Sequence, residues 1–160
     1  MRSKIGDYLY VIFIGLLLFL AGSIIIGGAS FLLKVYVGID LISVILYYIV
    51  TIYITKEILK HIDIRNLFVS IYLPILAGLM YIFSEYVAFV IIYTVNGAPI
   101  LQVLGVIPRI MYYNFLSYFT SFSLSVDGIF GPILNIFYLL IEILVVAVGV
   151  YQSYKITRRL

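Results

Sequence analysis

Four stretches of this chain run for about the thickness of a bilayer with almost no charge inside them. They cover about residues 8–33, 35–55, 67–95 and 129–150. A hydrocarbon core is crossed by roughly 20 helical residues, and a backbone inside it must satisfy its own hydrogen bonds. Together these conditions define the expected fold class: all-α, an integral membrane helical bundle. The start of the second run stays open between Val35 and Leu41. A fifth apolar stretch, about 99–122, holds Gly105, Pro108, Arg109 and Asn114, and reads as a re-entrant or interfacial helix. The expectation is one transmembrane domain over 1–160, with four transmembrane helices and that extra segment. The first run is too long for the apolar region of a signal peptide and is expected to stay as a span.

Charge sets the parity of crossings. Lys and Arg collect in cytoplasmic loops. Arg2 and Lys4 precede the first run, Lys56, Lys60 and Arg65 lie between the second and third, and Lys155, Arg158 and Arg159 follow the last. Four crossings place all eight on one side, and only Lys34 and Arg109 fall elsewhere. Five crossings would send the C-terminal cluster across. The expected arrangement is an integral protein of the plasma membrane with both termini cytoplasmic.

Composition then excludes several chemistries. Charged residues make up 11% of the chain, against roughly 25% in a soluble domain, so no soluble module is expected. There is no cysteine, which removes disulfides and thiolate metal sites. His61 is the only histidine, which removes paired-histidine haem or metal ligation. No phosphate loop or metalloprotease helix occurs. No cofactor, metal or enzymatic activity is expected. The basic residues flank membrane runs and are not a nucleic-acid signature, so the expected partners are the lipid bilayer and other membrane subunits or further copies of the chain.

Five of the seven acids have simple readings. Asp7, Asp40, Asp63 and Asp127 each stand just ahead of an apolar run, where aspartate caps a helix and complements its dipole. Glu57 belongs to the basic connection. Glu85 and Glu142 remain, and both lie within apolar runs. Glu85 stands ten residues before Val95, about 15 Å below that end at the helical rise. Glu142 stands 13 residues after Ile129, about 20 Å in. A buried carboxylate needs a partner. Pro108 suits a first helical position, so a helix from Pro108 to about Phe122 would carry Arg109 in its first turn, at depth. Its positive end and Arg109 would face the carboxylates, with Asn114 and Asn135 nearby. Glu85, Arg109, Glu142, Asn114 and Asn135 are the candidate intramembrane polar site.

The chain has sixteen tyrosines and no tryptophan. Tyr47, Tyr48, Tyr81, Tyr86 and Tyr138 are deep, and a buried phenol finds a hydrogen-bond partner. They either line a polar seam or join helices. The first run carries Gly15, Gly22, Gly27 and Gly28, which let helices approach closely.

The stretch "YYIVTIYITKEILKHIDIRNLFVSIYLPIL" and the ending "VGVYQSYKITRR" give a span, a short basic connection, a proline-containing span, and a closing glycine with a basic tail. In this pattern the chain resembles Yip1-type multispanning membrane proteins over about residues 40–159. That resemblance implies membrane organisation rather than catalysis, and it carries no site residue. The expected function is a non-enzymatic subunit or scaffold of a larger membrane assembly. The alternative is a small proton- or ion-coupled transporter or channel using Glu85, Glu142 and Arg109. A transporter should surround these groups with a wet cavity. A subunit should offer a small-residue face of its first span to another chain.

Overall fold

The computed structural model describes residues 4–36, 41–62, 67–120 and 130–159. Among the described residues there are five helices: α1 (Lys4–Tyr36), α2 (Leu41–Lys60), α3 (Leu67–Val95), α4 (Ile100–Thr120) and α5 (Phe130–Arg159). Among the described residues, four helices are long and apolar enough to cross a membrane: α1, α2, α3 and α5. The open start of the second run resolves in favour of Leu41, because α1 continues through Val35 to Tyr36.

Two boundaries differ from expectation. The basic stretch after Thr55 is not a loop. Lys56, Glu57 and Lys60 extend α2, and Glu57 holds Lys60 at 2.7 Å and His61 at 3.4 Å. Such i,i+3 and i,i+4 pairs suit a final helical turn. Likewise α1 starts at Lys4, so Asp7 lies buried inside its first turn rather than ahead of it. Asp40, Asp63 and Asp127 lie outside the described residues.

Side-chain contacts fix the helix directions. Tyr10 of α1 meets His61 after α2, Gly15 faces Ile58 and Gly22 faces Ile54, so α1 and α2 are antiparallel. Tyr8 meets Phe68, Tyr72 donates to the Ile12 carbonyl at 3.2 Å, and Gly27 meets Ser84, so α1 and α3 run parallel. On α5, Gly149 lies against Tyr47 and Ser153 bonds Thr55, which makes α5 parallel to α2. The start of α1 and the finish of α5 therefore share one end of the bundle. The same end carries the basic last turns of α2 and α5.

Round the bundle the order is α1, α2, α5, α3. Helix α1 packs on α2 and α3, α5 packs on the same two, and among the described residues α1 and α5 do not meet. Tyr47 stands at the centre, fully buried, and its hydroxyl crosses the diagonal to donate to the Ala77 carbonyl of α3 at 3.0 Å. Its ring meets Tyr81 edge to face at 5.4 Å.

The α1–α3 contact depends on missing side chains. A Cβ on Gly27 would come within 2.5 Å of the Ser84 carbonyl oxygen and 2.7 Å of Val87 Cβ. A Cβ on Gly22 would press Met80 Sδ at 2.8 Å. These glycines are used inside the bundle, so they are not free to face another chain as the subunit expectation required. Gly28, by contrast, has nothing within 4 Å of its Cβ position. The described groove between these helices is small and apolar, walled by Leu16, Phe19, Leu76 and Phe83 among others.

Helix α3 ends in a built stop. Gly97 has φ 88°, its N–H bonds the Thr94 carbonyl at 3.0 Å, and the Ala98 N–H bonds the Tyr93 carbonyl at 3.1 Å. This is a Schellman cap, which uses a left-handed glycine to satisfy the last carbonyls. The Pro99 carbonyl then accepts from Gln102 at 3.0 Å and opens α4.

Candidate functional site

That cap overturns the expected position of Arg109. Helix α4 begins at Ile100, beside the end of α3, and Pro108 lies inside it. Arg109 is thus in the third turn, and the positive end of the helix is nine residues away. The expectation of a helix starting at depth at Pro108 fails for a definite reason. An interior proline leaves the carbonyl four residues earlier without its N–H partner. Here that carbonyl is Leu104, and the Tyr86 hydroxyl of α3 donates to it at 3.0 Å. The neighbouring helix supplies the missing hydrogen bond, so the proline is accommodated without a break.

Helix α4 is the most amphipathic of the five. Val103 and Ile107 are buried, and Ile110 continues their stripe. Leu101, Leu104 and Pro108 form an exposed apolar side, while Gln102 and Arg109 share a separate exposed stripe. Among the described residues its apolar stretch is Ile100–Ile110. Such three-sided character suits a helix at a membrane surface.

Glu142 is half-buried on α5 and accepts from the Tyr81 hydroxyl of α3 at 3.4 Å. Glu85 is half-buried on α3, one turn beyond Tyr81 and on the same stripe, about 6 Å further along the axis. The two carboxyl-bearing positions therefore share the α3–α5 side of the bundle, and Tyr81 connects that side to Tyr47. Glu85, Arg109 and Glu142 are each engaged in polar or electrostatic contacts. Asn114 and Asn135 fall within α4 and α5, and their side chains lie outside the described ones.

The structure also assembles a set of groups that sequence reasoning missed. On α2, Ser43, Tyr47, Thr51 and Thr55 recur every fourth residue and are all buried. A spacing of four keeps side chains on one helix face. That face meets α5, where Ser153 and Thr157 are buried too, and Thr55 Oγ1 and Ser153 Oγ share a hydrogen bond of 3.0 Å. The signal was present as a hydroxyl every four residues in an otherwise apolar helix.

Thr51 is the exception within this set. Ser23, Ser84, Thr94 and Thr157 each donate to a carbonyl of their own helix at 2.7–2.8 Å. Thr51 Oγ1 is fully buried and, among the described residues, makes no hydrogen bond of standard geometry. The Tyr47 oxygen is close enough to accept from it while giving its own proton to the Ala77 carbonyl.

Among the described residues no group of three or more His, Cys, Asp or Glu side chains could hold a metal ion. Comparison with protein-family models, with curated proteins and with solved structures returns no match.

Proposed function

We propose that this chain is a non-enzymatic subunit or scaffold of a larger membrane assembly, in the plasma membrane with both termini cytoplasmic. The observation that carries this reading is the outer face of α5. Leu140, Leu144, Val148 and Tyr151 are exposed and repeat at helical spacing, next to the exposed Ile143. What marks α5 is how little of it the bundle covers: 11% of the stretch Leu139–Arg158 is buried, against 33%, 44% and 28% of the corresponding stretches of α1, α2 and α3. The packed centre at Tyr47 also favours a body that holds partners over an open conduit. The clustering of basic residues at the end that holds both chain termini supports the cytoplasmic assignment. The Yip1-type resemblance points to the same class of role.

The absence of native cysteine makes the test clean. Leu144→Cys in native membranes should form crosslinks to a defined neighbour or a second copy, while Ile24→Cys on the outer face of α1 should not. Equal, weak crosslinking at both positions, together with a lone monomer by native mass spectrometry, would remove the reading.

A second reading is a small proton- or ion-coupled transporter that uses Glu85 and Glu142 on the α3–α5 side, with Arg109 of α4 as the basic group of the site. The Tyr81–Glu142 bond favours it, because a carboxyl joined to a tyrosine at membrane depth is a proton-handling arrangement. Reconstituted wild type should then carry protons or ions, and Glu85→Gln should not.

A further inference from the structure

We propose that Lys56, Gln152 and Lys155 form a binding site for the phosphate of an anionic phospholipid. It lies on the outer side of the α2–α5 seam, at the end of the bundle that carries both chain termini. The inference rests on neither the exposed ridge of α5 nor the carboxylates, so it holds under either reading above.

Register brings these residues together. Thr55 and Ser153 face each other through their 3.0 Å hydrogen bond, and α2 and α5 run parallel. On parallel helices the same rotation away from a contact leads to opposite sides of the seam. Lys56 is one residue past Thr55 and Gln152 is one residue before Ser153, so the two come out on the same side. Ile54, one residue before Thr55, meets Gly22 of α1, so the side bearing Lys56 faces away from the bundle. Lys155, three residues after Gln152, continues the stripe on α5. Along the axis Lys56 and Lys155 differ in height by about 1.5 Å. Packed helices lie about 8–10 Å apart, so two lysine side chains can converge on one phosphate across the seam.

The charge there is uncompensated. Glu57 is the one acid in the last turns of α2 and α5, and it holds Lys60 and His61. Among the described residues, neither Lys56 nor Lys155 has a carboxylate within ion-pair distance. Complementing a helix end does not account for them either. Each stands four residues before the last residue of its helix, and the helix dipole acts within the last turn. Below Lys56, Ile45, Ile49 and Tyr53 follow one another at four-residue steps and are all exposed. The order apolar, aromatic, basic matches the depth profile of a leaflet, with a track for an acyl chain beneath a seat for its headgroup. A soluble anion would use the cations but not the track.

Arg158 provides an internal control. Tyr154 follows Ser153 by one residue and so takes the other side of the seam, and Arg158 lies over its ring at 5.4 Å. Arg158→Gln removes the same charge at the same end of the bundle without touching the site.

The test purifies the full chain in mild detergent with equal amounts of phosphatidylglycerol and phosphatidylcholine, and counts retained lipid by native mass spectrometry. Wild type should keep phosphatidylglycerol in preference. Lys56→Gln and Lys155→Gln should each lower that preference about fivefold, the usual weight of one cation at an anionic surface. Lys56→Arg should retain most of it, and Arg158→Gln should change it less than about twofold. If the Gln variants fail to insert, phosphorus–nitrogen dipolar recoupling on wild type in phosphatidylglycerol vesicles should still place a lipid phosphorus beside Lys56 Nζ. No preference in wild type, or no phosphorus near Lys56, would overturn the proposal. So would an equal loss in Arg158→Gln, which would reduce the effect to net charge. Release of the lipid by a wash in millimolar inorganic phosphate would make this a soluble-anion site and overturn it too.

Discussion

Two of the interfaces in this bundle work by opposite means. Where α1 meets α3, side chains are taken away: Gly22 and Gly27 let apolar surfaces and backbone close in. Where α2 meets α5, polar side chains are added: Thr55 and Ser153 bond across a seam of hydroxyls. Lipid is as apolar as leucine, so burial alone does not bring membrane helices together. Close packing and interhelical hydrogen bonds remain: the α1–α3 side is built on the first, with Tyr72 bonding the Ile12 carbonyl in addition, and the α2–α5 side on the second. The glycine interface tolerates no added volume. The hydroxyl interface tolerates volume change better and depends on chemistry. Glycine reappears once there, at Gly149, where a Cβ would lie 2.9 Å from the Tyr47 ring.

The sharpest way to break that contrast is Gly27→Ala. The new methyl meets a carbonyl oxygen rather than a flexible side-chain tip, so the loss should reach about 2–3 kcal/mol, at the upper end for overpacking. Reversible unfolding in mixed micelles would measure it. Gly28→Ala, one residue on, faces open space and should change stability by no more than about 0.5 kcal/mol. Equal effects at the two positions would mean that α1 does not pack on α3 as described.

The α3–α4 contact supplies a second test. Tyr86→Phe should leave the Leu104 carbonyl unpartnered, at a loss of about 1 kcal/mol. In a Pro108→Ala background, the restored N–H serves that carbonyl, and the loss should nearly vanish. A double-mutant cycle showing additivity would contradict the proposed role of Tyr86.

The smallest expected effect lies in the hydroxyl seam. A cycle of Thr55→Val with Ser153→Ala should give a coupling of about 0.6 kcal/mol, the usual size for a membrane interhelical hydrogen bond. A coupling of zero would make the seam incidental.

Much of this architecture was legible in the residues. The long apolar runs specify α1, α2, α3 and α5, because length and lack of charge are sufficient conditions for a span. Glu85 and Glu142 also stood out, since charge within such a run is conspicuous. Arg109 was misplaced because Pro108 was read by its local effect alone. A proline breaks a helix only when nothing else serves the orphaned carbonyl, and the hydroxyl that serves it comes from Tyr86, on another helix. The real punctuation, Asn96-Gly97-Ala98-Pro99, was the stronger local signal. The seam was missed for a different reason. Serine and threonine add little polarity one at a time, and their meaning depends on which face α5 covers. Gly15, Gly22 and Gly27 of α1 meet neighbouring helices as close-contact residues should, while Gly28 faces open space; sequence could not say whether such a contact was within the chain or between chains.

The order of the helices around the bundle bears on how the protein is made. Helices α1, α2 and α3 leave the ribosome first and already contain the glycine interface in full. A nascent chain halted after Val95 would leave Thr55 without Ser153 and one side of the Tyr47 ring without Gly149, because α5 is made after α3. Docking of α5 is then the step that closes the hydroxyl seam.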